Sequence, residues 1–343
     1  MTAPAGGAAR DELHRLLAQA RAGRPRAVGR LVSLVEDDDP RLPELVRALA
    51  PGSGRAHVVG LTGAPGVGKS TTTTALVTAL RAEGLVVGVL AVDPSSPFTG
   101  GALLGDRVRM QEHALDRGVF IRSMASRGHL GGLAAATPAA LRVLEAAGCD
   151  VVLVETVGVG QSEVEVSACA DTTCVLMAPG TGDAVQVAKA GLLEVGDVFV
   201  VNKADRDGAR SLVRDLRTMV SLGSPAEATR EPGSPWRPPV VQTVASTGEG
   251  VGELLAAVRA HRESQQASGG WQRRRRRRAR EEIEALALAR VRRRFRTLTG
   301  APLDRLAEEV GDGRLDPYTA AAALLDGAPT REGPRGRSAG GAE

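Results

Sequence analysis

Gly63-Ala64-Pro65-Gly66-Val67-Gly68-Lys69-Ser70 fits the pattern G-x-x-x-x-G-K-[ST] at every fixed position. On its amino side, His57-Val58-Val59-Gly60-Leu61 reads as a buried strand, and on its carboxyl side Lys69 to Glu83 reads as a helix. Strand, glycine loop and helix in that order make a phosphate cradle. The glycines let successive backbone N–H groups point inward beside the positive end of the helix. Lys69 would then bridge the β- and γ-phosphate oxygens, and the Ser70 hydroxyl is placed for Mg²⁺ with Thr71 next to it. The motif specifies neither the base nor the reaction.

Composition sets the outer limits. A chain of 343 residues is long enough for one large α/β domain with helical additions. No run of eighteen apolar residues and no signal-like amino terminus occur, so no membrane is expected and the cytoplasm is the expected compartment. Cys149, Cys169 and Cys174 are an odd number in apolar segments, which points to core packing rather than disulfides. The five histidines are scattered without metal-ligand spacing. A net charge of +4 is too small, for this length, to argue for nucleic acid.

Upstream of the loop, Met1 to Ala9 reads as disordered. Leu13, Leu16, Leu17 and Ala20, then Val28, Leu31, Val32 and Val35, give two helical faces, so residues 1–50 form a helical amino-terminal extension covering the nucleotide domain. Downstream, Val86 to Val92 is a continuous apolar run typical of a parallel strand, with Asp93 at its end. Asp93 and Asp106 are acceptors able to hold Mg²⁺ directly or through its waters. Further strands are expected at Val119–Met124, Asp150–Val154, Thr172–Met177 and Asp197–Val201, with a helix from Leu133 to Ala147. The fold class is therefore a P-loop NTPase with a mostly parallel sheet flanked by helices, plus helical extensions at both ends.

Glu155-Thr156-Val157-Gly158 occupies the place where nucleotide hydrolases put an acidic residue and a glycine near the γ-phosphate. Glu155 could hold a metal-bound water, and the Gly158 N–H could sense the γ-phosphate. Apolar Val159 stands where a water-orienting Gln is often found, which predicts slow unassisted hydrolysis. Asn202-Lys203-Ala204-Asp205 selects the base. The Asp205 carboxylate can accept two hydrogen bonds from guanine, a donor pair that adenine lacks, and the Lys203 stem can lie over the base.

Gly63–Ser70, Asp93-Pro94-Ser95-Ser96, Thr99-Gly100-Gly101, Gly105-Asp106-Arg107, Glu155 to Glu163 and Asn202–Asp205 together resemble the methylmalonyl-CoA mutase-associated GTPases, the MeaB/ArgK family. The resemblance implies a homodimeric G protein that binds GTP and GDP with Mg²⁺. It implies a chaperone of an adenosylcobalamin-dependent acyl-CoA mutase, gating cofactor loading and protection through GTP hydrolysis. In that family the loop matching Gly180 to Lys189 answers to the mutase, and Asp183 and Lys189 are its charged candidates here. Thr243-Val244-Ala245 stands where many G proteins read Ser-Ala, leaving the guanine carbonyl to the Ala245 backbone N–H.

The nucleotide domain is expected over 51–265. Gln265 to Gly270 reads as a polar linker, residues 266–326 read as a helical region to which the resemblance assigns dimerisation, and 327–343 reads as a disordered tail. Arg273 to Arg278 is an unbroken basic run. Because Glu281, Glu282 and Glu284 follow closely and Leu288, Val291, Phe295 and Leu298 continue at helical spacing, a solvated helix start outweighs a nucleic-acid patch. Three other classes are carried as weaker alternatives. They are a nickel-insertion GTPase, disfavoured for want of a Cys/His tract, a basic-region nucleic-acid-binding NTPase, and a transport kinase.

Overall fold

The structure is a computed structural model that describes residues 5–51, 53–94, 111–113, 115–126, 132–156, 162–180, 192–221, 236–298 and 300–326. The chain divides into two compact units, Met1–Glu282 and Ile283–Glu343.

Seven strands, β1 (His57–Thr62), β2 (Val87–Pro94), β3 (Val119–Ser126), β4 (Val151–Thr156), β5 (Thr172–Met177), β6 (Val198–Asn202) and β7 (Val240–Thr243), form one sheet. Their order is β3-β2-β4-β1-β5-β6-β7, and every pairing is parallel. β1, β4, β5 and β6 are buried at every residue, which is why they read as unbroken apolar runs rather than as alternations. β7 was not anticipated. It is a four-residue edge strand directly after Pro238-Pro239, only partly buried, so neither length nor pattern marked it.

Helices cover both faces. On one, Ala5–Arg21, Pro25–Glu36 and Leu42–Leu49 place Leu13, Leu17, Leu31 and Leu45 in a core shared with Leu144 and Val152. The amino-terminal helices thus complete the sheet's own core. Ala5 already lies in the first helix, inside the stretch read as disordered, while residues 1–4 lie outside the described residues. On the other face the phosphate-loop helix Lys69–Ala82 and the helix Val251–Ala267 pack Leu76, Leu80, Leu254 and Val258 against Leu61, Val89 and Leu153. Helix Ala209–Ser221 covers the β5–β6 side through Leu212, Val213 and Leu216. Cys149 and Cys174 are buried free thiols, and burial pushes Cys149 up to about 12.

The stretch read as a polar linker is different. Gln265 is buried in helix Val251–Ala267, and a tight turn with Gly269 at φ 72° leads straight into the long helix Gly270–Leu298. The Ser268 hydroxyl donates to the Ser264 carbonyl at 2.9 Å, closing the helix end that polarity alone had suggested was open chain.

The arginine run, expected as a solvated helix start, is solvated on one side only: Arg273, Arg276 and Arg277 are exposed. Arg274, Arg275 and Arg278, on one face of the long helix, plug the amino end of the sheet. Arg274 grips the Asp197 carboxylate with two bonds (2.8 and 3.1 Å) and donates to the Asp171 carbonyl at 2.8 Å. Arg275 and Arg278 both bond the Asp171 carboxylate, which also accepts the Val58 N–H at 3.0 Å. Arg278 additionally donates to the Cys169 carbonyl at 2.5 Å, and the Arg275 guanidinium lies 4.4 Å from the Trp271 ring centre. Burial alone would push both carboxyls up. The facing guanidiniums outweigh it and hold Asp171 and Asp197 below the usual carboxylate range.

A proton-ordered chain adjoins this cluster. The Thr172 hydroxyl lies 2.8 Å from His57 Nε2 and 2.8 Å from His261 Nδ1, and His261 Nε2 lies 3.2 Å from Asp197 Oδ1. Thr172 has one hydroxyl proton, so it can donate to only one of its two imidazole neighbours and must accept from the other. Burial lowers His57 to about 4, so a neutral ring fits that order.

Candidate nucleotide site

The carboxyl ends of β1, β2, β4, β5 and β6 carry the motifs read from sequence, at the edge of an open α/β sheet where ligands gather. β1 delivers the chain into the phosphate loop. Gly63 has φ 140°, and a Cβ there would sit 2.2 Å from the Leu176 carbonyl oxygen of β5, so only glycine lets the loop pass so close. Gly68, at φ 96°, starts the helix, and a Cβ on it would meet Asn202 Nδ2 at 2.4 Å.

Lys69 is 8% exposed, and its ammonium donates to the Gly63 and Ala64 carbonyls at 2.5 and 3.1 Å, which holds the charge inside the cradle. Ser70 is half-buried and Thr71 exposed in the first helical turn, while Pro65 and Gly66 line the open side and Val67 is buried beneath. The four threonines Thr71–Thr74 are weak helix formers. Three of them bond back, from Thr72 to Gly68, Thr73 to Lys69 and Thr74 to Ser70, each at 3.0 Å.

Glu155 is 2% exposed in β4, level with Leu61 of β1 and Ala91 of β2. Its Oε2 accepts the Thr73 hydroxyl at 2.5 Å, which ties it to the phosphate-loop helix. Sequence reasoning missed Thr73, whose only signal was its place in the threonine run. Asp93 lies at the carboxyl end of β2, two residues beyond the partner of Glu155. Asp106, Gly158, Asp183 and Lys189 lie outside the described residues.

Asn202 is a hub. Its Nδ2 donates to the Val67 carbonyl at 2.8 Å, and its Oδ1 accepts the Thr243 hydroxyl and the Ala245 N–H, both at 3.1 Å. One buried amide thereby fixes the phosphate loop, the end of β6 and the turn after β7 in a single frame. The Ala245 N–H, expected to face a guanine carbonyl, is directed at this amide. Lys203 has φ 57° and donates to the Gly66 carbonyl at 2.7 Å, so its stem spans from the base motif to the phosphate loop. Asp205 is exposed at the mouth, with its carboxylate open to a ligand.

A parallel sheet with Gly63–Ser70 and Asn202–Asp205 at its carboxyl ends has the architecture of a P-loop GTPase, an enzyme that binds GTP and GDP and hydrolyses GTP. The profile of the family described as methylmalonyl Co-A mutase-associated GTPase MeaB matches residues 28–299, and the chain belongs to that family. A GTPase of Pyrococcus abyssi is 47% identical over 311 residues, covering 90% of this chain and 95% of that protein. The GTPase ArgK of Escherichia coli is 41% identical over 253 residues, 73% of this chain and 76% of that protein. The mitochondrial methylmalonic aciduria type A homolog of Mus musculus is 39% identical over 211 residues, 62% of this chain and 50% of that protein. Among solved structures, a LAO/AO transport system kinase superposes with a TM-score of 0.68 at 29% identity, covering 92% of this chain and 96% of that one. No helix among the described residues is long and apolar enough to cross a membrane.

Proposed function

We propose that this GTPase is the chaperone of an adenosylcobalamin-dependent acyl-CoA mutase of the methylmalonyl-CoA type, gating cofactor loading and protection by GTP binding and hydrolysis in the cytoplasm. The observation that carries it is the family match across residues 28–299, to GTPases named for their association with that mutase. In this reading the backbone from Gly63 to Thr71 cradles the phosphates, Lys69 neutralises charge developing on the transferred phosphoryl group, and Asp205 with Asn202 and Lys203 selects guanine. The Ser70 hydroxyl and Glu155 carboxylate are oxygen donors of the kind Mg²⁺ takes, a hard ion that keeps several waters and is held largely by substrate phosphates; Ser70 would be a ligand and Glu155, with Asp93 and with Asp106 outside the described residues, would arrange its waters. When bound, the ion would neutralise phosphate charge. The bond from the Thr73 hydroxyl of the phosphate-loop helix to Glu155 supports that outer role.

Homodimerisation through residues 266–326 belongs to the same proposal. Its support is the apolar surface of the second unit, where Ile283 is 68% and Val291 63% exposed on the long helix. Asp183 and Lys189, which follow β5 in sequence and lie outside the described residues, are proposed to complete the site when the mutase binds. The test is GTP turnover with and without the purified mutase, repeated with Asp183→Ala and Lys189→Ala. A several-fold stimulation lost in either variant is expected. A rate indifferent to the mutase would remove the chaperone reading.

A further inference from the structure

The basic run Arg273–Arg278 draws the eye in the sequence, yet three of its six arginines are consumed by Asp171 and Asp197 inside the protein. A second set is not. Arg210, Arg214 and Arg217 occur at i, i+4 and i+7 on helix Ala209–Ser221, so they share one face, and all three are exposed. Arg237, also exposed, stands across from them at the entry to β7. None of the four makes an ion pair with any described residue.

They line two adjoining hollows. The first, about 560 Å³, lies between Arg210, Arg214, Arg217, Thr218 and Gln242. The second, about 500 Å³, continues from Arg217 to Arg237 over Pro238, Pro239 and Val240. No carboxylate lines either hollow among the described residues. Four positive charges in one groove repel one another, and no carboxylate of the described residues pairs with them. The floor is partly apolar, with Val213 in the first hollow and the two prolines in the second. Arginine around an apolar floor is the composition of a protein docking site. A single-stranded nucleic acid would call for aromatic faces to stack on, and none is among the described residues lining either hollow.

We infer that this groove is a docking site for an acidic segment of a protein partner, anchored by apolar side chains over Val213, Pro238 and Pro239. The inference rests on the mutase reading for the identity of that partner. Both walls lead to the base site, since helix Ala209–Ser221 follows Asn202–Asp205 and β7 runs into Thr243–Ala245, which bond to Asn202. A partner held here therefore touches the two elements that frame the guanine pocket, without touching the phosphates.

The test uses the full chain and the purified methylmalonyl-CoA mutase of the same organism as probe. Arg210→Glu/Arg214→Glu/Arg217→Glu is compared with the milder Arg→Gln triple, and GTP turnover without partner and thermal melting serve as checks on folding. The groove predicts that wild-type affinity falls as salt rises, that the Gln triple weakens binding about tenfold, and that the Glu triple weakens it further, while unstimulated turnover stays level. Wild-type affinity retained by a folded triple overturns the groove and leaves the chaperone reading standing. No binding of the mutase by the wild type overturns both. A 20-nucleotide single strand serves as the second probe, and its loss by the triples with mutase binding intact would reassign the groove to nucleic acid.

Discussion

The two ends of the sheet use the same chemistry to opposite purposes. At the carboxyl end, charged side chains face the loop that would hold a ligand. Asp205 is exposed, and Lys69 and Lys203 donate to carbonyls of the phosphate loop. At the amino end, Asp171 and Asp197 are met by Arg274, Arg275 and Arg278 and closed off from water. Charges awaiting a ligand make a site, and charges that already have partners make a fastening, here one that fixes the root of the long helix to the first unit. Removing one partner of a buried pair strands the other, whereas removing an exposed ligand-facing charge leaves the fold alone.

That contrast can be broken by substitution. Lys69→Ala should lower GTP turnover about 10³-fold or more while the melting temperature stays near that of the wild type. Substantial turnover in that variant, or full turnover in excess EDTA, would remove the phosphate-loop mechanism. Asp197→Asn should do the reverse. It leaves Arg274 facing a neutral amide in a closed site and should cost about 3–5 kcal/mol of stability, read by denaturant unfolding, with the preference for GTP over ATP intact in the folded fraction. Wild-type stability in that variant would mean the arginine face is solvated after all.

The carboxyl end was legible because its chemistry is local. Gly63–Ser70 and Asn202–Asp205 are contiguous, and six of the strands were read from their local pattern. What stayed hidden depends on pairing across the chain. Asp171 meets Arg278 and Asp197 meets Arg274 only after folding, so the run looked like a solvated face. Thr243 and Ala245 reach Asn202 from forty residues further along, which local spacing cannot indicate. The arginines of helix Ala209–Ser221 are a helical stripe, not a run, and so carried no signal as a charge cluster.

Acid should act first on the amino end. The buried, neutral His57 has its pKa lowered by burial to about 4, below the ordinary 6.5 that it regains on unfolding. Between those values the unfolded chain binds a proton that the folded chain refuses, so stability is fully present above pH 6.5 and falls as pH drops toward 4. The slope is about 1.4 kcal/mol per pH unit, roughly 3 kcal/mol in all. The lowered pKa values of Asp171 and Asp197 act in the same sense at lower pH, and the raised Glu145, which is favoured by acid, opposes them. Stability curves from pH 7 to 4 for wild type and His57→Gln isolate the imidazole. The variant should lack this part of the slope, and parallel curves would show that His57 accepts its proton without cost.

The smallest effect is the sharpest test, because it applies the Asp197→Asn change at the other end of β6. Asp205 follows that strand by three residues where Asp197 precedes it by one, but it is exposed and its carboxylate has no burial to lose. Asp205→Asn therefore should not shift the unfolding midpoint. Its cost appears only with nucleotide bound, since an amide presents one donor where guanine needs two acceptor positions, leaving a guanine N–H unpaired. The expected loss is about 1–3 kcal/mol of the preference for GTP over ATP, measured as the ratio of the two dissociation constants. Lys203 bonded to Gly66 and Asn202 bonded to Val67 should hold the pocket's frame, so ATP affinity should change little. An unchanged GTP:ATP ratio would show that Asp205 does not select the base. A fall in stability matching that of Asp197→Asn would show that both ends of β6 serve the fold, and the contrast between fastening and site would be lost.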